Sequence, residues 1–262
     1  MRHITLLTDF GTTEGEHTVL KGVIWRILPR ASIADLSHDI SPQNILEGAL
    51  VLERTAHFFP EETVHIVVID PGVGTHRRPI AARCGDQFFV GPDNGICTPM
   101  LERAERLDFP IEIVHLDNPK FWLEDVTSIF HRRDIFAPCG GHLSAGVALI
   151  DLGTPITDVI RIKKPDVTIT EAGIQGEVMH IDRYGNLICN IRREDIQNLG
   201  QVKVKYKDIE LGKLVNTFGD KNAGEICLLY SPMYYLMIAE TNGNAQNHLN
   251  AKRGDKVEVY KI

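Results

Sequence analysis

Length and composition describe an ordinary globular chain with an acidic balance. The 262 residues carry 28 basic and 35 acidic side chains, and the resulting net charge of −7 opposes binding along a phosphate backbone. We therefore expect no nucleic-acid partner, and the length suffices for one large domain or two modest ones.

Cysteine usage and the first thirty residues indicate where the protein works. The five cysteines are widely spaced and include no C-x-x-C pair, so we interpret them as reduced thiols rather than a zinc or redox site. The first thirty residues contain neither the apolar run of a signal peptide nor a membrane span. We expect a cytoplasmic protein with no membrane partner.

The first part of the chain alternates short apolar runs with stretches of helical spacing. Strands are predicted at 4–8, 32–36 and 63–69, with helices over 19–28 and 44–59 between them. A hairpin over 80–90, a helix over 96–104, a strand at 111–116 and a helical stretch over 134–149 follow. This alternation predicts an α/β fold in which helices flank a mostly parallel sheet.

The pattern changes near Lys163-Lys164-Pro165. Beyond it, short β-rich runs occur at 176–181, 187–191, 202–206, 225–230, 235–239 and 257–260. Such runs, separated by turn residues, predict a smaller all-β, barrel-like domain. We expect an N-terminal α/β domain over 1–164 and a C-terminal domain over 165–262.

Two acidic residues follow predicted strands at the edge where α/β sheets bind ligands. Asp9 can accept hydrogen bonds from the vicinal diol of a ribose, or it can cap the following helix. Asp70 opens the loop Asp70 to Arg78, in which Arg77 can fold back onto the carboxylate as a structural pair or as part of a catalytic site. Gly72-x-Gly74 lacks the third glycine of a dinucleotide site, so no such cofactor is expected.

Two further polar clusters are each compatible with a structural or a functional role. His131 lies just before an apolar helical stretch, where a histidine is either structural or catalytic. The segment Asp182 to Asn186 joins two predicted strands and is either a hairpin turn or part of a binding site.

Six phrases in order along the chain carry a resemblance. They are T-D-F-G at 8–11, D-P-G-V-G-T-x-R-R at 70–78, G-P-D-N-G at 91–95, F-H-x-R-D-I-F-A-P at 130–138, Y-G-N at 184–186 and G-N-A at 243–245. Together they resemble the S-adenosylmethionine (SAM) hydroxide adenosyltransferase family, which is related to fluorinases and chlorinases. A set of six ordered motifs over nearly the whole chain is far more specific than any one of them.

The resemblance implies an enzyme that hydrolyses SAM to adenosine and methionine by attack of activated water at ribose C5′, without a metal or other cofactor. It also implies a homotrimer with active sites between the first domain of one subunit and the second domain of its neighbour. Asp70, Arg77 and His131 match the catalytic residues of the family. The positions that match substrate-binding residues are Asp9, Asn94, Asp182, Tyr184, Asn186, Ser231, Asn244 and Ala245.

The sequence departs from the family pattern at two places. Arg132 stands where the family phrase has glycine, which puts the rate and pH optimum in question, and Ser231-Pro232-Met233 replaces a small polar run that contacts methionine.

Halide-using relatives carry serine at position 132 and tyrosine at position 70, which disfavours halide chemistry here. The residues also leave open a non-catalytic adenosine or SAM sensor, and a metal hydrolase whose ligands would come from His38-Asp39, His131 and Asp134.

Overall fold

The computed structural model describes residues 2–262. The chain divides into two compact units, the first running to Ile162 and the second covering Lys163–Ile262. Among the described residues, no helix is both long and apolar enough to cross a bilayer.

The first unit is built on a seven-stranded mixed sheet. Its strands are β1 Ile4–Thr8, β2 Ile33–Ser37, β3 Val64–Val68, β4 Pro79–Cys84, β5 Gln87–Pro92, β6 Ile111–His115 and β7 Thr154–Pro155. Their order is β2-β1-β3-β5-β4-β6-β7, and the pairings from β2 to β5 are parallel, whereas those from β5 to β7 are antiparallel. The carboxyl ends of β1 and β3 therefore lie side by side.

Helices cover both faces of this sheet. They are α1 Glu16–Ile27, α2 Ile45–Thr55, α3 Thr98–Arg106 and α4 Ala137–Ser144. Val64 and Ile66 of β3 pack in one core with α1 and α4, and Val67 packs in the other core with α2 and α3. Successive side chains of a strand point to opposite faces, so the unbroken apolar run of β3 contributes to both cores.

The second unit is an antiparallel, barrel-like sheet. Its strands are β8 Thr168–Thr170, β9 Gly173–Ile181, β10 Leu187–Arg192, β11 Val202–Tyr206, β12 Ile209–Gly212, β13 Ile226–Tyr230, β14 Tyr235–Glu240 and β15 Lys256–Lys261. Their order is β12-β11-β15-β9-β10-β14-β13, with β8 on β9, and a bridge between Leu214 and Leu228 brings the two ends together. The short helices α5 Arg193–Ile196 and α6 Ala245–Leu249 interrupt the strands. The predicted α/β fold followed by a smaller barrel-like unit is confirmed.

The structure differs from the sequence prediction in four segments. The helical stretch expected over 134–149 begins as a π-helical turn at Arg132–Phe136, continues as α4 and ends at Ser144, shortly before Gly146 adopts a φ of 105°. The strands β7, β8 and β12 were not predicted. They are short and largely exposed, so their sequences lack the apolar runs on which the prediction depends.

Candidate active site

A crevice opens beyond the carboxyl ends of β1 and β3. Asp9 follows β1, Asp70 follows β3, and both side chains line a cavity of about 270 Å³. Phe10, Gln43 and Arg132 are also among the residues of its wall. Two carboxylates thus face one cavity at the edge of the sheet where α/β proteins bind ligands.

Asp70, Arg77 and His131 form a connected group of side chains, which we call the triad. Arg77 holds Asp70 with two parallel hydrogen bonds, Nε to Oδ1 at 3.0 Å and Nη2 to Oδ2, and both side chains are 6% exposed. Nη2 also contacts Nδ1 of His131 at 3.2 Å, although the two residues are 54 positions apart. The fork of the guanidinium therefore fixes the carboxylate and the imidazole relative to each other.

Two loops meet to bring the triad together. Gly74 has a φ of 77°, and a Cβ at this position would lie 2.8 Å from the carbonyl oxygen of Ser128. The loop that carries Arg77 consequently packs closely against the segment that leads to His131. His131 occupies the N-cap position of the π-helical turn at Arg132–Phe136 without a capping bond from its side chain, and such turns are rare but frequent at functional sites.

Hydrogen bonding settles which nitrogen of His131 carries the hydrogen. Burial and the charge of Arg77 lower the pKa of His131, although Asp70 and Asp134 oppose this shift. The imidazole is therefore neutral near pH 7. Because a guanidinium can only donate, Nδ1 of His131 must accept from Arg77, and Nε2 is left as the N–H donor.

The triad also contains a buried donor without an acceptor. Within residues 2–262, Nη1 of Arg77 is shielded from solvent and has no hydrogen-bond partner. An unpaired buried donor of this kind costs roughly 1–3 kcal/mol, more when it is charged. Burial raises the pKa of Asp70, while the Arg77 guanidinium beside it acts in the opposite direction. An oxygen that accepted from Nη1 would satisfy the donor and would lie against a fixed positive charge.

Asp9 and Asn94 are both held by contacts within the first unit. Oδ2 of Asp9 accepts from the backbone N–H of Gln43 at 2.8 Å, and Gln43 has the left-handed φ of 64°. Asn94 donates to the carbonyl of Ile69 at 2.9 Å and accepts from the N–H of Ile96. Asn94 therefore lies beside the end of β3, with both ends of its amide engaged by backbone groups.

Arg132 lines the cavity and is held on three sides. Its guanidinium carbon lies 4.7 Å from the ring centroid of Phe10 and 4.1 Å from that of Phe130, and Nη2 donates to Glu16 at 2.8 Å. The long cation that stands where the family phrase has glycine is thus neutralised by Glu16 and fixed between two rings.

The second unit gathers most of the other predicted residues at one corner. In the turn between β9 and β10, Oδ1 of Asp182 accepts from the N–H groups of Tyr184 and Asn186, and Oδ2 accepts from the amide of Asn186. Asn244 caps α6 and packs so closely on this turn that a Cβ at Gly185 would lie 2.3 Å from it. Ala245 is buried beside Asn244, whereas Tyr184 is 77% exposed. The turn is both rigid and accessible.

Ser231 lies apart from this corner. It closes the turn between β13 and β14 by pairing with Tyr235, and its Oγ accepts from the N–H of Tyr235 at 3.2 Å. Tyr235 is three residues along β14 from Ile238, the partner of Leu187 at the start of β10. At the usual rise of a strand, this separation is about 10 Å.

The comparisons with known proteins decide the family. The family model described as SAM hydroxide adenosyltransferase N-terminal domain matches residues 4–153, and that of the C-terminal domain matches residues 176–258. The chain belongs to the SAM hydroxide adenosyltransferase family.

Several known proteins are similar to the chain over nearly its whole length. A protein of Salinispora tropica named (R)-S-adenosyl-L-methionine hydrolase is 32% identical over 98% of this chain and 97% of its own. One of the same name from Methanocaldococcus jannaschii is 34% identical, covering 98% and 95%. A protein of Actinoplanes sp. named fluorinase is 27% identical over 98% and 97%. The solved structure of an uncharacterized conserved protein from Thermotoga maritima superposes with a TM-score of 0.89 at 32% identity, covering 98% and 100%.

Sequence reasoning did not find every residue that lines the crevice. It missed Phe10 and Gln43, which line the cavity, and Glu16, which pairs with Arg132. Gln43 contacts Asp9 through its backbone N–H, so the type of its side chain gives no sign of this contact. Glu16 pairs with a residue 116 positions away, and local sequence patterns do not predict contacts over such a separation. Within residues 2–262, no three or more His, Cys, Asp or Glu side chains are grouped so that they could hold a metal ion, and His38-Asp39, His131 and Asp134 are not brought together as a ligand set.

Proposed function

We propose that the protein hydrolyses SAM to adenosine and methionine by in-line attack of a water-derived hydroxide on ribose C5′. The observation that carries this proposal is the triad, in which Arg77, with its unpaired Nη1 donor, joins His131 to Asp70, a residue that lines the crevice. The full-length similarity to proteins named (R)-S-adenosyl-L-methionine hydrolase supports it.

The reaction needs help on the nucleophile rather than on the leaving group. The sulfonium of SAM leaves as a neutral thioether and requires no acid. A guanidinium that remains charged at all relevant pH values lowers the pKa of an adjacent water by stabilising its anion. Nη1 of Arg77 and the N–H of His131 Nε2 would both donate to the hydroxide, and the proton lost by the water passes to solvent. His131 therefore orients the nucleophile and does not act as its base.

Substrate contacts follow from the same placement. Asp9 would bind the ribose hydroxyls, with Asn94 holding the adjacent loop. In the second unit, Asp182, Tyr184, Asn186 and the Asn244-Ala245 stretch would hold adenine and methionine, and Ser231 would contact the methionine end. Positioning of this kind supplies on the order of 7–11 kcal/mol in well-oriented systems.

We further propose that the protein is a homotrimer in the cytoplasm, with each active site shared between the first unit of one subunit and the second unit of its neighbour. The division of the proposed contacts between two units supports a shared site, and the five free, buried cysteines support a reducing compartment. Analytical ultracentrifugation tests the trimer. A monomeric sedimentation coefficient in fully active protein would contradict it.

The decisive experiment is to incubate the purified protein with SAM in ¹⁸O-labelled water. We expect equimolar adenosine and methionine, with the label in the 5′-hydroxyl of adenosine. SAM binding without methionine release would instead support a non-catalytic sensor, and 5′-chloro-5′-deoxyadenosine formed in the presence of chloride would support halide chemistry.

A further inference from the structure

The cavity wall contains an ion pair that the proposed hydrolysis does not use. The guanidinium of Arg132 lies between Phe10 and Phe130 and is bonded to Glu16, with side-chain exposures of 22% for Arg132 and 34% for Glu16. In the described part of the chain, the donation to Glu16 is the one hydrogen bond of this guanidinium, which offers five N–H donors. The group is therefore held rigidly and retains donors for a further acceptor.

The charges around the cavity fit a substrate with one excess positive charge. In the first unit, the charged residues that line the cavity or pair with a residue of its wall are the carboxylates of Asp9, Glu16 and Asp70 and the cations of Arg77 and Arg132. One negative charge is in excess. SAM carries a sulfonium, an ammonium and a carboxylate, so its own balance is one positive charge. Arg132 is the cation of this set that lies outside the triad, so it is the one available to pair with the substrate carboxylate.

Arg132 does not act on the triad. It makes no hydrogen bond to Asp70, Arg77 or His131, all of which are described residues, and its one acceptor is Glu16. The charges that shift the pKa of His131 are those of Arg77, Asp70 and Asp134. The described contacts of Arg132 therefore leave its guanidinium available to a ligand in the cavity.

We propose that Arg132 is a specificity-determining residue that binds the α-carboxylate of the methionine moiety, with Glu16, Phe10 and Phe130 holding the guanidinium in place. This inference rests on the proposed function, since it names a further contact in the same site. A planar guanidinium fixed by stacking loses little freedom when it binds a carboxylate and can do so through two parallel hydrogen bonds.

The test compares SAM with decarboxylated SAM, which lacks only the carboxylate. For the parental protein and for Arg132→Gln, kcat/KM is measured with SAM, and the inhibition constant of decarboxylated SAM is measured against SAM hydrolysis. We expect Arg132→Gln to lose about tenfold to hundredfold in kcat/KM for SAM, mainly through KM. Its inhibition constant for decarboxylated SAM is expected to stay unchanged or to fall, because a positive charge has been removed beside a cationic ligand.

Two further variants test whether the effect comes from the guanidinium of Arg132 rather than from the loss of any arginine. Arg132→Lys keeps the charge without the fork and is expected to recover part of the preference for SAM. Arg161→Gln removes an arginine from a more exposed Arg–Glu pair, with Glu105, and is expected to leave both constants at parental values. The fraction of folded protein changes neither KM nor an inhibition constant, so partial unfolding of a variant does not imitate the expected result.

Three outcomes would overturn the proposal. Equal weakening of both ligands would show that Arg132 only maintains the cavity. A loss in kcat with a shifted pH profile and an unchanged preference would place Arg132 on the nucleophile. Calorimetry separates this proposal from the proposed function. If the parental protein binds both ligands but releases no methionine, the proposed function fails. In that case, an Arg132→Gln variant that keeps the parental ratio of the two dissociation constants would overturn the carboxylate contact as well.

Discussion

The substitution Arg77→Lys separates the charge of the triad from its geometry. Lysine retains a cation next to Asp70 but lacks the second nitrogen that donates to His131 and the Nη1 donor that has no acceptor in residues 2–262. Loss of one pre-organised donor to a developing or bound anion typically lowers turnover by about 10²–10³-fold, or roughly 2.7–4 kcal/mol. We expect a reduction in kcat of this size, with KM for SAM within a few-fold of the parental value.

Stability is expected to distinguish the lysine variant from a neutral one. Asp70 and Arg77 are each 6% exposed, so Arg77→Met leaves a buried carboxylate without a counter-ion, at a cost on the order of 3–5 kcal/mol in unfolding free energy. Arg77→Lys retains the ion pair and is expected to lose much less. Urea denaturation followed by circular dichroism measures both.

The assay is the release of methionine and adenosine, resolved by chromatography under single-turnover conditions so that product release does not mask the chemical step. The matched control is Arg78→Lys, because Arg78 is the next residue and also pairs with a buried carboxylate, that of Asp93, outside the triad. It is expected to keep parental turnover. An Arg77→Lys variant within threefold of the parental kcat would refute the argument that Nη1 and the fork act on the nucleophile.

Three other predictions concern the same region. Asp9→Ala is expected to raise KM for SAM about tenfold or more with a smaller effect on kcat, because it removes the proposed acceptor for the ribose hydroxyls; steady-state kinetics that showed the reverse split would place Asp9 in the chemical step. Attack by hydroxide makes log kcat rise with pH with a slope of one. Protonation of His131 removes the acceptor for Arg77, so the slope of log kcat against pH is expected to steepen to two below the pKa of His131, which lies under its ordinary 6.5. His131→Gln is expected to retain a slope of one throughout, and a persistent second proton in its pH profile would contradict this assignment. Gly74→Ala forces a left-handed φ on alanine and a contact of 2.8 Å between its Cβ and the carbonyl oxygen of Ser128. We therefore expect a loss of about 1–3 kcal/mol in unfolding free energy together with reduced turnover. An unchanged melting temperature would show that the two loops do not need the close contact of Gly74 with Ser128.

The elements that could be predicted are those with a strong local signal. The apolar run of β3 and the helical spacing of α1 were sufficient because these segments are buried, and burial determines their composition. The polar residues Asp9 and Asp70 were found because they follow such strands. Short edge strands such as β7 and β12 have no comparable signal, since their residues remain largely exposed.

Contacts between distant residues could not be predicted from spacing. The Asp70–Arg77 pair lies within one loop and was foreseeable as a pair, but the contact of Arg77 with His131 depends on the approach of Gly74 to Ser128. The hydrogen on Nε2 of His131 depends in turn on that contact. The resemblance to the family names these residues, whereas their hydrogen bonding and protonation follow from the folded structure.

The pairing of Arg132 with Glu16 has a consequence for how the family diversifies. An unpartnered arginine beside the cavity would add a positive charge next to a cationic substrate, and an unpartnered glutamate would add a negative one. Either change made alone would leave one charge without its partner, so residues 16 and 132 are expected to change together in natural sequences. Natural sequences with glycine at position 132 are then expected to lack an acidic residue at position 16, and this covariation sorts family members into two groups by two letters of their sequences.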